Sequence, residues 1–580
     1  MQKQLKKYEK YILLLLLLLS AVAAISKIWV GFDIDEGYAI SMPQRLVNGD
    51  HLFRDMWEVH QTSSFLPALF LWVFEKITGG TECVALYLRI VTTIIHLLMT
   101  GLLFQMLSKL DRRWRFLLCL VYFNFLPKWM ISLDFSMQQI WGITFVIYFL
   151  GRIWKTNRLR DCFGVGLALA FTVLAYPGMV VLYPVVLLCC VLMHQPMHDE
   201  RKVKDKINKC LMMTLGCALP ALFFFVYVLS HMSLTELLTN IPLVFMDGTH
   251  QFTAQTKLLA YGRQWGNVCK QMVVLAVPII MISFVIIAPL KRVVSGIRED
   301  GKITCTQLFI VFLLVWTLET SLLVILANVV GIQMGPFHFQ VRYLGFFMGT
   351  CVLAFLYRKK HTFLFWNVFV LHVVAFAGIL LFSNVGPDTS SSYLVLGVIG
   401  GFVLLHKMLR EREQMDRLLW LTCAVFVLSL IFCKGFYVRI TEYGPSDILE
   451  HREQMTVGPL KGIYLLPEDH VRCASDYKTI AHLTQNGEKL LFLGTEGIEN
   501  LASGGGYVSP STISTPAFNE QWTLYFTMYP EKIPDVIVIA KNTVDDVEKF
   551  LTKNPFGIWI SEKYDTMHMD ETEFLCIIRK

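Results

Sequence analysis

The chain has 580 residues, 55% of them hydrophobic and 17% charged, with a formal net charge of +7. A soluble globular chain carries about 25% charged residues, so this one lacks the polar side chains to cover itself in water. The positive charge does not point to nucleic acid, because the basic residues stand in short clusters between apolar runs, as membrane topology requires.

Apolar stretches recur from residue 11 to residue 436, and each is long enough to cross a hydrocarbon core of about 30 Å as a helix. Thirteen spans are expected, near 11–30, 84–107, 116–133, 136–153, 161–176, 178–193, 210–230, 268–290, 304–330, 341–357, 362–382, 393–409 and 418–436. Tyr11 to Ile25, behind Lys3, Lys6, Lys7 and Lys10, imitates a secretory signal, but the apolar stretch runs on to Val30 and reads as a first helix. Pro177 and Pro184 interrupt the fifth and sixth spans.

With a cytoplasmic N-terminus, the inside segments up to residue 436 carry 28 Lys and Arg and the outside segments of the same stretch 6. Lys and Arg resist translocation, so this bias sets the orientation. It places three segments outside: the first long loop (31–83), the loop 231–267, and a C-terminal domain from 437 to 580. The fold class expected is mainly α: a polytopic helix bundle over 1–436 with a small extracytoplasmic α/β domain behind it.

In that domain 489–494 and 535–540 are short apolar runs bounded by polar, Gly and Pro residues, as buried strands are. Residues 558–561 and 574–578 read as further strands, and 475–486 and 543–552 carry helical spacing. The 14 cysteines form no CxxC pair and read as small core residues. Cys473 and Cys576 read as two unpaired thiols.

The first outside loop carries the chemistry. Three acids, Asp33, Asp35 and Glu36, stand together at the first membrane exit, and Arg54-Asp55-Met56-Trp57-Glu58-Val59-His60 follows. A carboxylate there suits general-base removal of an acceptor's hydroxyl proton while cations hold a phosphate leaving group. Asp33 or Asp35 suits equally the N-cap of the amphipathic stretch behind it.

At these residues the sequence resembles the bacterial C-type-fold (GT-C) glycosyltransferases, relatives of protein O-mannosyltransferases and of the lipid A aminoarabinose transferase. The resemblance lies in the order Asp35-Glu36-x-Tyr38, a short helix, Gly49-Asp50, Arg54-Asp55, and Trp57-Glu58-x-His60. It is specific over 11–110 and general, through topology, to 436. It implies an inverting transfer of a sugar from a polyprenyl-phosphate donor to an extracytoplasmic acceptor, at a membrane-lipid surface and with no nucleic acid. By position it implies Asp35 as the catalytic acid with Glu36 beside it, and Glu58 and His60 as the second element, flanked by Arg54 and Asp55. Many relatives have His-Pro-Pro where this chain has His60-Gln61-Thr62, so it lacks the prolines that would shape that turn.

Three cations near outer span ends, Arg89, Lys128 and Arg342, are placed to meet a lipid phosphate or to pair within the protein. Glu319 reads as an interhelical hydrogen-bonding group. His250, with Glu58, would be a divalent-metal pair by the same resemblance, although two ligands do not define a site and no cofactor is required. A transporter or lipid flippase is the competing class. It would be expected to show internal repeats, and none is found.

Overall fold

The structure is a computed structural model. It describes residues 2–192, 201–245, 255–267, 269–270, 304–330, 336–382, 390, 393–439, 445–494, 497–503, 506–513, 519–544, 546–564 and 568–579. In chain order the bundle comprises α1 (Gln2–Trp29), α2 (Ile34–Val47), α3 (Phe65–Thr78), α4 (Val84–Met106), α5 (Arg112–Asn124) and α6 (Phe135–Thr156). Then come α7 (Leu159–Ala175), α8 (Leu182–Leu192), α9 (Arg201–His231) and α10 (Leu234–Val244). It closes with α11 (Cys305–Val329), α12 (Pro336–Leu356), α13 (Thr362–Phe382), α14 (Val395–Leu409) and α15 (Glu413–Phe436).

Six of the described helices are long and apolar enough to cross a membrane. Their outward faces are apolar: Leu14, Leu15, Leu18 and Val22 of α1, and Leu222 and Phe223 of α9, are more than half exposed. A surface of that kind needs lipid, not water, against it. The chain is a multi-pass membrane protein. The expected eighth span, 268–290, lies almost wholly outside the described residues.

The third span differs from expectation. α5 stops at Asn124 because Leu126, ahead of Pro127, is extended (φ −118°, ψ 127°), as the residue before a proline prefers. A helix of 13 residues covers about 20 Å, and 125–134 then runs irregularly within the bundle to the start of α6. Close packing places α6 and α7, which frame the site below. A Cβ on Gly142 would collide with Thr172, so only glycine permits that approach.

Behind α15 two short antiparallel pairs, β1 (Tyr437–Arg439) with β2 (Pro445–Asp447) and β3 (Glu453–Gln454) with β4 (Tyr464–Leu465), lead into the terminal domain. Its sheet has the order β5 (Leu490–Leu493), β6 (Val536–Ala540), β8 (Leu575–Arg579), β7 (His568–Glu571), with β5 and β6 parallel and the rest antiparallel. Alternate residues serve opposite faces. Leu491, Leu493, Ile537 and Ile539 meet a core with Trp522 and Phe556, and Leu490, Phe492, Val536 and Val538 meet Ile480 and Leu483. Covered on both faces, the strands read as continuous apolar runs.

The expected strand at 558–561 is instead part of a helix, Pro555–Lys563. The Asn554 side chain accepts from the N–H groups of Phe556 and Gly557, and Pro555 occupies the first helical position. Asn-Pro is a helix-start signal that outweighs the apolar run. Cys473 and Cys576 are free thiols.

Candidate active site

The corner between α1 and α2 is built around Arg89. The last carbonyls of α1 have no partner within the helix. Arg89 from α4 donates Nη1 to Lys27 O (3.4 Å) and Ile28 O (3.0 Å), and Nη2 to Gly31 O (2.5 Å). Its Nε and Nη2 also reach Glu36 Oε1 and Oε2, both at 2.6 Å. The pair is buried, with side-chain exposures of 5% and 2%. A guanidinium has five N–H donors, and these five contacts use them all. Glu36, expected beside the reaction, and Arg89, expected at a phosphate, are therefore spent on each other and on the backbone. Charges inside a bundle must pair in this way or go neutral.

Asp33 is the helix cap. Its backbone is extended and its Oδ1 accepts from Asp35 N at 2.8 Å. Asp35 gives its backbone N–H to that cap. It is half-buried in the first turn of α2, where the unsatisfied N–H groups present partial positive charge. Asp35, Asp134 and Tyr176 lie within electrostatic range of the Tyr393 hydroxyl.

His60 stacks on Phe135, at 3.6 Å between ring centroids and 9° between planes, and Tyr176 is 5.3 Å from it and 6.0 Å from Phe135. Ser136 and Tyr393 share a hydrogen bond of 3.2 Å. Asp134 caps α6 through Met137 N. In place of prolines, hydrogen bonds hold the turn Gln61–Ser64: Phe53 N to Gln61 Oε1 at 2.8 Å, Thr62 Oγ1 to Leu174 O at 2.6 Å, and Gln138 Nε2 to Ser63 O at 2.9 Å. Phe53 sits at φ 66°, a strained value for a non-glycine residue, with its carbonyl fixed by Asn240.

The rest of the loop is gripped by the C-terminal domain. Glu58 is buried and accepts from the Tyr38 hydroxyl and from the backbone N–H of Thr512. Burial raises its carboxyl against the pull of those bonds. Trp57 N donates to Pro510 O, and its ring enters the core of the domain, 5.2 Å from Tyr525. Lys532 reaches Asp50 at 2.9 Å and Asp55 at 3.1 Å, while Asp55 also holds His51. Arg54 approaches Glu236 of α10 at 4.0 Å, a loose and exposed pair. Arg54, Asp55 and Glu58, expected at a substrate, thus stand at contacts between loop and domain. Lys532, Thr512 and Tyr525 were not legible as partners, since nothing local in sequence marks a contact across more than 400 residues.

The Lys532 clamp has a pH window. Burial alone would raise the Asp55 carboxyl, but Lys532 and His51 outweigh it and hold it below the usual range. Burial alone would lower Lys532, but Asp50 and Asp55 raise it. The stabilisation is present at neutral pH. It is lost as pH falls through the lowered Asp55 value, or rises through the raised Lys532 value. Lys532→Met is expected to weaken docking by about 2–3 kcal/mol, read as faster hydrogen exchange over residues 49–61 with α4 and α15 unchanged. Unaltered exchange there would contradict the clamp.

The side chains of Lys128 and Arg342, and all of His250, lie outside the described residues. Each Glu58 oxygen accepts one hydrogen bond, from Tyr38 and from Thr512. Among the described residues no three His, Cys, Asp or Glu side chains group as a metal site. Glu319, expected to bond between helices, is buried and makes no hydrogen bond among the described residues.

No protein-family model matches the chain, and no curated protein matches it in sequence. Among solved structures it is similar to ArnT from Cupriavidus metallidurans bound to undecaprenyl phosphate, at 11% identity, covering 98% of this chain and 98% of that one, with a TM-score of 0.48. The apo state of that ArnT matches at 10% identity, 99% and 98% coverage, and a TM-score of 0.47. The archaeal oligosaccharyltransferase AglB from Archaeoglobus fulgidus, in complex with an inhibitory peptide and a dolichol-phosphate, matches at 10% identity, with 97% of this chain, 73% of that one and a TM-score of 0.43. Each TM-score is below 0.5, so function is inferred below from this chain's own residues.

Proposed function

We propose that the chain is an integral-membrane glycosyltransferase that moves a sugar from a polyprenyl-phosphate donor to an extracytoplasmic acceptor, with inversion, and that Asp35 is its general base. The observation that carries the proposal is the division of labour among three neighbouring acids. Asp33 caps α2, Glu36 pairs with Arg89, and Asp35 stands half-buried within electrostatic range of Tyr393. The first two are fixed at the corner, and the third stands at the position that the resemblance gives to the catalytic acid.

In the step itself, the acceptor hydroxyl loses its proton to an Asp35 oxygen as its own oxygen bonds to the anomeric carbon. The bond from that carbon to the phosphate oxygen breaks on the opposite face, and polyprenyl phosphate leaves with the electron pair. Lys128 and Arg342 are the cations proposed for the leaving phosphate. Arg89 is proposed as a positioning residue, and the Glu58–Tyr38 bond ties α2 to the docked domain. The domain thereby helps to set where Asp35 stands.

The test is incubation of purified protein in detergent with a panel of polyprenyl-linked sugars and extracts of envelope glycans, lipids and peptides, with products read by mass spectrometry. A glycosylated acceptor together with sugar-free lipid phosphate is expected for one member of the panel. Absence of any such product, with lipid movement in sealed vesicles, would favour a flippase instead.

A further inference from the structure

Gln139 of α6 is wholly buried, and neither its Oε1 nor its Nε2 has a hydrogen-bond partner among the described residues. Its neighbour Gln138 is also buried, yet donates to Ser63 O and Leu133 O. Buried polar groups in proteins are almost always paired, and one that is not calls for an explanation. Gln139 lies three and four residues beyond Ser136 and Phe135, which places it on their face of the helix, one turn deeper, about 5 Å along the axis. Those two residues contact Tyr393 and His60, and Tyr393 lies within electrostatic range of Asp35. Ser64 Oγ, in the turn packed on α6, is likewise buried and unpartnered.

The chemistry of the amide narrows what it would take. One end donates and the other accepts. A phosphate only accepts and would leave Oε1 bare, whereas neighbouring hydroxyls on a sugar ring can accept from Nε2 and donate to Oε1 together. We infer that Gln139 binds a pair of ring hydroxyls of the donor sugar and is a specificity-determining residue. The inference rests on the glycosyl-transfer proposal. It adds which side chain distinguishes a sugar-bearing lipid from the bare carrier.

Gln139→Met keeps the length of the side chain and removes both polar atoms. The test is thermal stabilisation of the purified full chain in detergent by polyprenyl-phosphate hexoses and pentoses, compared with polyprenyl phosphate alone. Wild type is expected to bind one sugar-bearing lipid more tightly than the bare carrier. Gln139→Met is expected to lose that preference by tenfold or more, with bare-carrier affinity unchanged and the ligand-free melting temperature no lower. Gln139→Leu, of different shape, is expected to split the two ligands in the same way. Equal affinity of variant and wild type for the sugar-bearing lipid, as a buried water on the amide would give, would overturn the inference while leaving the transferase proposal standing. So would an equal loss for both lipids. A wild-type protein that prefers no sugar-bearing lipid in the panel would overturn both.

Discussion

Asp35→Asn is expected to reduce sugar transfer by about 10²–10⁴-fold, the range that a general base supplies, while donor affinity and melting temperature stay within error of wild type. The substitution is nearly isosteric. It leaves the backbone N–H that Asp33 caps and the Glu36–Arg89 pair in place, and it removes the carboxylate proposed to take the acceptor's proton. The neighbouring acids provide the controls. Asn serves as well as Asp at an N-cap, so Asp33→Asn is expected to cost little in either stability or rate. If Asp33→Asn abolished transfer and Asp35→Asn did not, the roles of the two residues would be exchanged.

Arg89→Met is expected to destabilise the protein by about 3–5 kcal/mol, the cost of leaving one member of a buried ion pair uncompensated. Glu36 would remain inside the bundle as a bare carboxylate, and Lys27, Ile28 and Gly31 would lose the donor for their carbonyls. The double variant Arg89→Met, Glu36→Leu removes both charges and is expected to recover part of that loss, although the carbonyls at the end of α1 still lack a donor. Thermal unfolding in detergent distinguishes this from a phosphate-binding role. A ligand of lipid phosphate would lose donor affinity in the single variant at undiminished stability, and that result would return Arg89 to the substrate.

The bundle was legible because its signal is carried by composition over some twenty residues at a time, and the apolar length of a membrane helix tolerates local error. The terminal strands 489–494 and 535–540 were legible for a similar reason: both faces are covered, so the whole run is apolar. Residues 558–561 carried the same apolar signal, yet Asn554 and Pro555 start a helix there. A cap is a local rule that periodicity alone does not weigh.

In the loop, sequence drew attention to a cluster of acids without dividing their roles. Acids in adjacent positions of one turn look alike in sequence, and what separates them is the partner each finds. For Glu36 that partner comes from α4 and for Glu58 from the terminal domain, 53 and 454 residues away. Tyr38 belonged to the recognised order Asp35-Glu36-x-Tyr38, but its bond to Glu58 depends on a fold of the loop that spacing does not reveal. Gln139 left no mark, because an amide within an apolar run reads as one more polar interruption of a helix. Only the absence of a partner among the described residues makes it conspicuous.

The most direct test of Asp35 as the base isolates the chemical step. Protein saturated with a polyprenyl-phosphate sugar is mixed with acceptor, and release of polyprenyl phosphate is followed through a single turnover, in wild type and Asp35→Asn at equal donor occupancy. The account predicts prompt release from wild type and release slowed by at least about a hundredfold from the variant. Equal rates of release from the two would contradict it.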